Sequence, residues 1–149
     1  MDRDDEKTTA KDCTMTTSNL RNRYVADAVE AVSPQRLLVM LYDRMWMDLH
    51  RAVRAITDND IEAANRELKH AQEIVERLQS ALDAEAWPAA RHLNDVYTFV
   101  RNQLVEANVK KDRRRVETCI TIVEPLRDAW HQAMRDAAAN GPSALGSVA

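Results

Sequence analysis

Four segments of the chain repeat apolar residues at intervals of three and four, and this spacing restricts the fold more than any other feature. The clearest stripe comprises Ile61, Ala64, Leu68, Ala71, Val75, Leu78 and Leu82. Glu, Arg, Lys and Gln fill the positions between these residues. A strand would alternate every second residue, whereas this period is that of an α-helix with one buried face.

Local signals mark where the first two helices begin. Ser33-Pro34 can start a helix, because serine accepts a bond from an unpaired N–H and proline at the first position loses only a donor without a partner. We expect that helix to run from Gln35 to about Thr57. A turn follows, and Asp60 is a good cap for a second helix over about residues 61–83.

Two further helices complete the pattern. Trp87-Pro88 opens the third, which we expect to continue to about Val109. The fourth runs from about Arg113 to Ala139 and contains Pro125, which removes one backbone hydrogen bond and crowds the preceding turn. The sequence therefore predicts a kink or break near residues 121–125.

Four helices of similar length with short connections predict an all-α fold, an antiparallel four-helix bundle. Only two glycines and four prolines interrupt the 149 residues. The polar segment 1–23 is expected to be a mobile leader, 24–139 the bundle, and 140–149 a flexible tail. The expected core joins the stripe above to Leu38, Leu41, Met45, Leu49, Ala52, Ile56, Leu93, Val96, Tyr97, Val100, Leu104, Ala107, Val116, Cys119, Val123, Leu126, Trp130 and Met134.

Composition excludes several classes of function. The net charge is −3, so no strong field favours nucleic acid or an anionic membrane. Cys13 and Cys119 offer neither a disulfide framework nor a metal-ligand spacing, which suits a reducing compartment. No apolar run is long enough for a signal peptide or a membrane span. We expect a soluble cytoplasmic protein without membrane insertion.

Residues that could carry catalysis are sparse. His70 and Glu73 form a His-x-x-Glu, but the inner stripes contain no carboxylates that could complete a metal site. Glycine-rich phosphate loops are absent, and no serine has a plausible base. We therefore expect no catalytic residues, metal or cofactor, and a protein that acts by binding.

The first helix has more apolar residues than a bundle requires. Leu37, Met40 and Met47 fall outside its main stripe, and a bundle helix needs only about three core positions in seven. Smaller excesses follow at Ile74, Phe99, Val105, Val109, Ile120 and Ile122. Either the first helix is buried at the centre of the bundle, or these residues form a groove for a partner segment. Residues 24–29 of the chain itself could cover such a groove as a lid.

A basic cluster, Lys110-Lys111-Asp112-Arg113-Arg114-Arg115, lies at the last turn. The favoured interpretation is a solvated turn followed by a helix start. The alternative is a docking patch for an acidic or nucleic-acid partner, although aromatic residues are missing and the charge opposes the helix dipole.

An ordered set of motifs resembles the FliS family of flagellar secretion chaperones. It begins with Tyr24 and Val32-Ser33-Pro34 before Leu41-Tyr42-Asp43, and continues with Asp60-Ile61. The later motifs are Ala71-Gln72-Glu73-Ile74-Val75-Glu76-Arg77-Leu78, Leu104-Val105-Glu106-Ala107-Asn108-Val109-Lys110-Lys111-Asp112 and Leu126-Arg127-Asp128-Ala129-Trp130. The resemblance covers residues 24–134.

The resemblance implies an antiparallel bundle that binds the disordered C-terminal segment of flagellin, prevents its polymerisation and delivers it to the flagellar type III export gate. It also implies that flagellin wraps around the bundle and that a segment with a residue like Tyr24 covers part of the surface in the free protein. The partner-binding residues we expect are Tyr24, Val25, Leu37, Met40, Met47, Ile74, Val105, Val109 and Ile122.

Two other functions remain open at this stage. The surplus stripe could pair with itself in a homo-oligomeric structural bundle, or the bundle could hold a metal and act as an enzyme. For the chaperone we expect a monomer or a weak homodimer.

Overall fold

The structure is a computed structural model that describes residues 19–22 and 33–140. The chain divides into two units, residues 1–34 and 35–149. In the first unit, residues 19–22 are helical and exposed, although the sequence placed them in the polar leader. In the second, every element between residues 35 and 140 is a helix or a turn. Four helices, α1 to α4, span Pro34–Thr57, Ile61–Ala81, Pro88–Lys110 and Arg113–Asn140.

The helix ends follow the predicted signals. Pro34 is the first residue of α1, and Trp87 precedes the proline that opens α3. The Asp60 carboxylate accepts a hydrogen bond from the backbone N–H of Ala63 at 3.1 Å, which confirms it as the cap of α2. Lys111 ends α3 in a left-handed conformation with φ 50° and satisfies the Ala107 carbonyl.

The fourth helix continues through Pro125 without interruption, so of the predicted kink or break, the break is wrong. Pro125 lies on the exposed side of α4, where water can bond the carbonyl that its missing N–H leaves unpaired. Val123, two residues before Pro125, and Leu126, directly after it, pack in or against the core and hold the helix in place. Loss of a single bond therefore does not end a helix of 28 residues.

Side-chain pairs between helices establish the antiparallel arrangement. Between α2 and α3, Gln79 bonds Asn94 while Asn65 bonds Asn108, so the numbering rises in one helix as it falls in the other. Likewise, α1 and α4 are joined by the pair Trp46–Glu124 and the pair Asp43–His131. Since neighbouring helices are antiparallel, α1 and α3 run in the same direction at opposite corners of the bundle.

The core joins apolar faces of all four helices. Most predicted core residues are buried or packed against the buried cluster. Ile61 is an exception at 60% exposed, so its assignment to the core is wrong. Tyr42 was not predicted in the core yet is fully buried, and its hydroxyl meets that of Tyr97 at 2.7 Å across the bundle centre. This bond satisfies two polar groups that would otherwise be buried without partners.

Candidate partner-binding surface

The outer side of α1 carries three large apolar side chains in contact with solvent. Leu37 is 50% exposed, Met40 is 52% exposed and Met47 is 39% exposed. The interpretation that α1 lies wholly buried at the centre of the bundle is therefore wrong for these residues. They are not needed to fill the core, because the inner side of the helix already supplies Tyr42, Met45 and Leu49. We call Leu37, Met40 and Met47 the α1 face.

A second set of exposed apolar side chains lies on α3. Phe99 is 45% exposed, Val105 is 41% exposed and Val109 is 80% exposed. Val105 and Val109 are four residues apart, so they are neighbours on the helix surface. We call Phe99, Val105 and Val109 the α3 face. Val105 and Val109 were predicted from the sequence as partner-binding residues.

The remaining residues predicted for partner binding have different positions. Ile74 is only 4% exposed and belongs to the core cluster, so the expectation that it is a surface residue is wrong. Two adjacent rows of side chains on α2 are buried, and Ile74 lies in one of them. Ile122 is partly buried and packs against the core. Tyr24 and Val25 lie outside the described residues.

The two apolar faces lie on opposite sides of the bundle and overlap only in part along its length. The Tyr42–Tyr97 bond aligns α1 with α3, so that Met40 is level with about residue 95. Val109 is then roughly 21 Å further along the bundle at 1.5 Å per residue. The faces also point away from each other, because α1 and α3 occupy opposite corners. No single straight helix can cover both.

A polar cluster fixes α1 against α4 beside the α1 face. The Asp43 carboxylate accepts hydrogen bonds from Arg127 Nε at 2.6 Å and from His131 Nε2 at 2.7 Å. Partial burial alone would raise the pKa of Asp43, but the bonds from His131 and Arg127 outweigh it and lower the pKa below its ordinary value. The Arg127 guanidinium also lies 4.8 Å from the Trp46 ring. This cluster keeps the outer side of α1 in a defined position.

A second carboxylate of α1, that of Asp48, has its pKa shifted in the opposite direction. Asp48 is fully buried between α1 and α2, where it pairs with His70 and lies 3.0 Å from Arg44 Nε. Burial raises the pKa of Asp48 above its ordinary value, with nearby Glu67 adding to the effect and with His70 and Arg44 opposing it. His70 therefore has a structural partner in Asp48.

A shallow groove of about 420 Å³ runs between the first half of α1 and the second half of α4. Its floor is mainly apolar, and charged side chains stand at its rim. It is continuous with the α1 face, since Met40 belongs to both. We call it the α1–α4 groove, and its lining residues are Arg36, Val39, Met40, Asp43, His131, Met134, Arg135 and Ala138.

Several basic side chains of the turn between α3 and α4 have partners within the bundle. Lys111 Nζ bonds the Asn108 carbonyl at 2.7 Å. Arg113 pairs with Glu117 at 3.3 Å, and Arg115 pairs with Glu106 at 2.9 Å. These bonds favour the interpretation of a solvated turn over a docking patch.

Reactive groups are few in the described part of the chain. Among residues 19–22 and 33–140, no three His, Cys, Asp or Glu side chains are grouped as metal ligands. Burial raises the pKa of the Cys119 thiol to about 12, so the thiolate that would be reactive is not populated near neutral pH. Within the same ranges, no helix is long and apolar enough to cross a membrane.

Comparison with known sequences identifies the family. Residues 17–137 match the family described as flagellar protein FliS. The chain belongs to the FliS family. The match spans all of α1, α2 and α3 and most of α4, so it includes both apolar faces and the polar clusters. FliS proteins are flagellar secretion chaperones, as the resemblance in the sequence implied.

Several curated FliS relatives are similar over most of their length. The flagellar secretion chaperone FliS of Bacillus subtilis (strain 168) is 30% identical over 121 residues, which are 81% of this chain and 90% of the relative. That of Escherichia coli (strain K12) is 30% identical over 112 residues, 74% of this chain and 82% of the relative. That of Salmonella typhimurium (strain LT2) is 29% identical over 110 residues.

A solved structure supports the fold. It is a crystal structure of a flagellar chaperone from bacteria, which superposes with a TM-score of 0.65 at 14% sequence identity. The match covers 81% of this chain and 99% of the other. At this identity the similarity concerns the fold alone, and it agrees with the four-helix bundle predicted from the helical periodicity and the short connections.

Sequence reasoning missed the polar residues that position α1. Asp48 is the clearest case, because it lies three residues after Met45 and one before Leu49, within the spacing of the core stripe. A charged residue at such a position signals a buried ion pair. Tyr42 and Asp43 were noticed only as part of the FliS pattern, and their partners on α3 and α4 could not be read from spacing.

Proposed function

We propose that this FliS protein is a cytoplasmic export chaperone for flagellin. It binds the disordered C-terminal segment of flagellin, prevents premature polymerisation and delivers the cargo to the flagellar type III export gate. It acts by binding and not by catalysis. The binding surface comprises the α1 face and the α3 face.

The observation that carries this proposal is the exposure of large apolar side chains on opposite helices. Scattered exposed apolar residues are common on proteins. Here, however, the two faces lie on opposite corners of the bundle, and Met40 and Val109, near their far ends, are roughly 21 Å apart along it. A compact partner would reach only one of the two faces. A long segment without its own fold can cover both by passing around the bundle.

The chemistry of the α1 face suits a partner that folds upon binding. Met40 and Met47 are unbranched and polarisable, so they adapt to apolar side chains of different shapes. Burial of apolar area supplies the driving force, while the loss of conformational freedom in the flagellin segment offsets part of it. The bundle itself changes little, because the Tyr42–Tyr97 and Asp43–Arg127 contacts already hold α1 in place.

Calorimetry with the C-terminal segment of flagellin from the same bacterium tests the proposal. We expect a one-to-one complex, a negative heat-capacity change and a higher melting temperature of the bundle. Absence of heat together with an unchanged melting temperature would contradict the proposal.

A matched pair of variants locates the binding surface. Met40→Asp places a charge in the α1 face and should weaken flagellin binding by at least about tenfold, since an unpaired charge would have to be buried. Ser80→Asp adds the same charge at an exposed position near the end of α2 and should bind like the wild type. Equal affinities for the two variants would remove the α1 face from the binding site.

The alternative of a homo-oligomeric bundle predicts a different result. Light scattering of the isolated protein over a range of concentrations would then give a stable dimer whose mass does not respond to flagellin. The chaperone proposal expects a monomer or a weak dimer that flagellin converts into the one-to-one complex.

A further inference from the structure

We propose that the α1–α4 groove selects for acidic side chains in the bound cargo. The part of the flagellin segment that lies there is an amphipathic stretch in which a carboxylate stands beside aliphatic anchors. This inference rests on the proposed function and adds a charge requirement to it. Contacts of the α1 and α3 faces are apolar and impose no such requirement.

The floor of the groove fits aliphatic side chains. Val39, Met40 and Met134 line it, and Met40 connects it directly to the α1 face. A segment that covers the α1 face therefore needs only one further turn to enter the groove. The volume of about 420 Å³ is large enough for a few side chains and too small for a folded domain.

The rim of the groove offers a guanidinium group to a partner. Its one carboxylate, Asp43, is already bonded to Arg127 and His131. Arg135, on α4, also belongs to the lining. A groove with an apolar floor and an exposed guanidinium group at its edge is complementary to an acidic amphipathic segment.

Arg135 has no evident role in the stability of the bundle. It is exposed, and its guanidinium donates to the Gln132 side-chain oxygen at 2.8 Å. Within the described ranges it has no carboxylate at ion-pair distance. It lies more than one turn before α4 ends at Asn140, beyond the reach of the helix dipole. A guanidinium has five N–H donors, and most of them remain available to a partner.

Titration of the flagellin C-terminal segment into the full chain tests this inference by charge reversal. Arg135→Glu should weaken binding by about tenfold, and Arg135→Gln by less, because only the first introduces repulsion. Arg77→Glu is the matched control, since Arg77 is exposed on α2 and lies outside the groove. Its affinity should equal that of the wild type. Unchanged melting temperatures verify that each variant is folded.

A double-mutant cycle identifies the group that Arg135 meets. The acidic residues of the flagellin segment are replaced in turn by their amides. One replacement should weaken binding to the wild type, have little further effect on Arg135→Gln, and restore part of the affinity that Arg135→Glu loses. Affinity for the wild type should also fall as NaCl is raised from about 50 to about 500 mM.

The possible outcomes separate this inference from the proposed function. If flagellin binds, but neither salt nor Arg135→Glu changes the affinity, the acidic requirement is wrong and the chaperone function stands. If Arg77→Glu weakens binding as much as Arg135→Glu, the effect is one of net charge and the groove is not the site. If flagellin does not bind at all, both proposals fail.

Discussion

Met40 and Met45 are the same residue type, five positions apart on one helix, and they have opposite environments. Met45 is 1% exposed and packs in the core, whereas Met40 is 52% exposed. The two sides of α1 therefore serve different purposes. The inner side holds the bundle together, and the outer side contributes little to folding and is available to a partner. Apolar content alone does not distinguish the two sides; position relative to the other helices does.

The largest effect we predict separates a core residue from a surface residue. Ile74→Asp should lower the free energy of unfolding by more than about 3 kcal/mol, because it buries an unpaired charge in the core. Met40→Asp should lower it by less than about 1 kcal/mol, since the charge remains in water. Urea denaturation followed by circular dichroism measures both. Similar losses for the two variants would mean that Met40 is as much a part of the core as Ile74, contrary to their exposures in the structure.

A smaller effect is predicted for the bond that ties the inner side of α1 to α3. Tyr97→Phe removes one hydroxyl of the buried pair and leaves that of Tyr42 without this partner. The free energy of unfolding should fall by about 1 to 3 kcal/mol. Thr98→Ala, at the next position of the same helix but exposed, is the control and should cost less than about 1 kcal/mol. If Tyr97→Phe is neutral, the diagonal contact does not stabilise the bundle.

The smallest effect concerns pH and the two carboxylates of α1. The folded protein raises the pKa of Asp48, so the folded state binds this proton more tightly than the unfolded state. The stability from this group is complete below the ordinary pKa of an aspartate, about 3.9, and is lost as pH rises through the folded value. The pH dependence from Asp43 has the opposite sign, because its pKa is lowered in the folded protein. The stability from Asp43 is present above the ordinary pKa and is lost as pH falls through the folded value.

Asp48→Asn should remove the loss of stability that accompanies ionisation of Asp48 as the pH rises. Denaturation at a series of pH values above about 4 should give a curve for the variant that falls less steeply than that of the wild type, with a difference of about 1 kcal/mol or less. Asp43→Asn should leave the slope in that range unchanged. Parallel curves for Asp48→Asn and the wild type would show that burial of Asp48 does not shift its titration.

Most of the fold followed from local signals in the sequence, and the errors have physical causes. Proline at the helix starts and Asp60 at the cap act on backbone groups next to them in the chain. The local sequence alone therefore predicts these helix ends. The environment of Ile74 depends on how α2 lies against the rest of the bundle, and a periodic pattern does not contain that angle. Pro125 was expected to kink or break α4, and the helix does not break, because packing on both sides of the proline outweighs one missing hydrogen bond.

The candidate surface was predicted less completely than the fold. Leu37, Met40, Met47, Val105 and Val109 are exposed as expected, since a surplus over the core stripe is visible in the sequence. The α1–α4 groove combines residues about 100 positions apart in the chain, such as Val39 and Met134. Only the antiparallel packing of α1 and α4 brings these residues together, so no motif could have indicated the groove.

Oxidative footprinting of the methionines tests the central claim most directly. Peroxide converts exposed methionine to the sulfoxide, and mass spectrometry reports the rate at each position. In the free protein we expect rapid oxidation of Met40 and Met47 and slow oxidation of Met45. A saturating concentration of the flagellin C-terminal segment should slow Met40 and Met47 strongly and leave Met45 as it was. Unchanged rates at Met40 and Met47 in a complex that calorimetry shows to be fully formed would contradict the account.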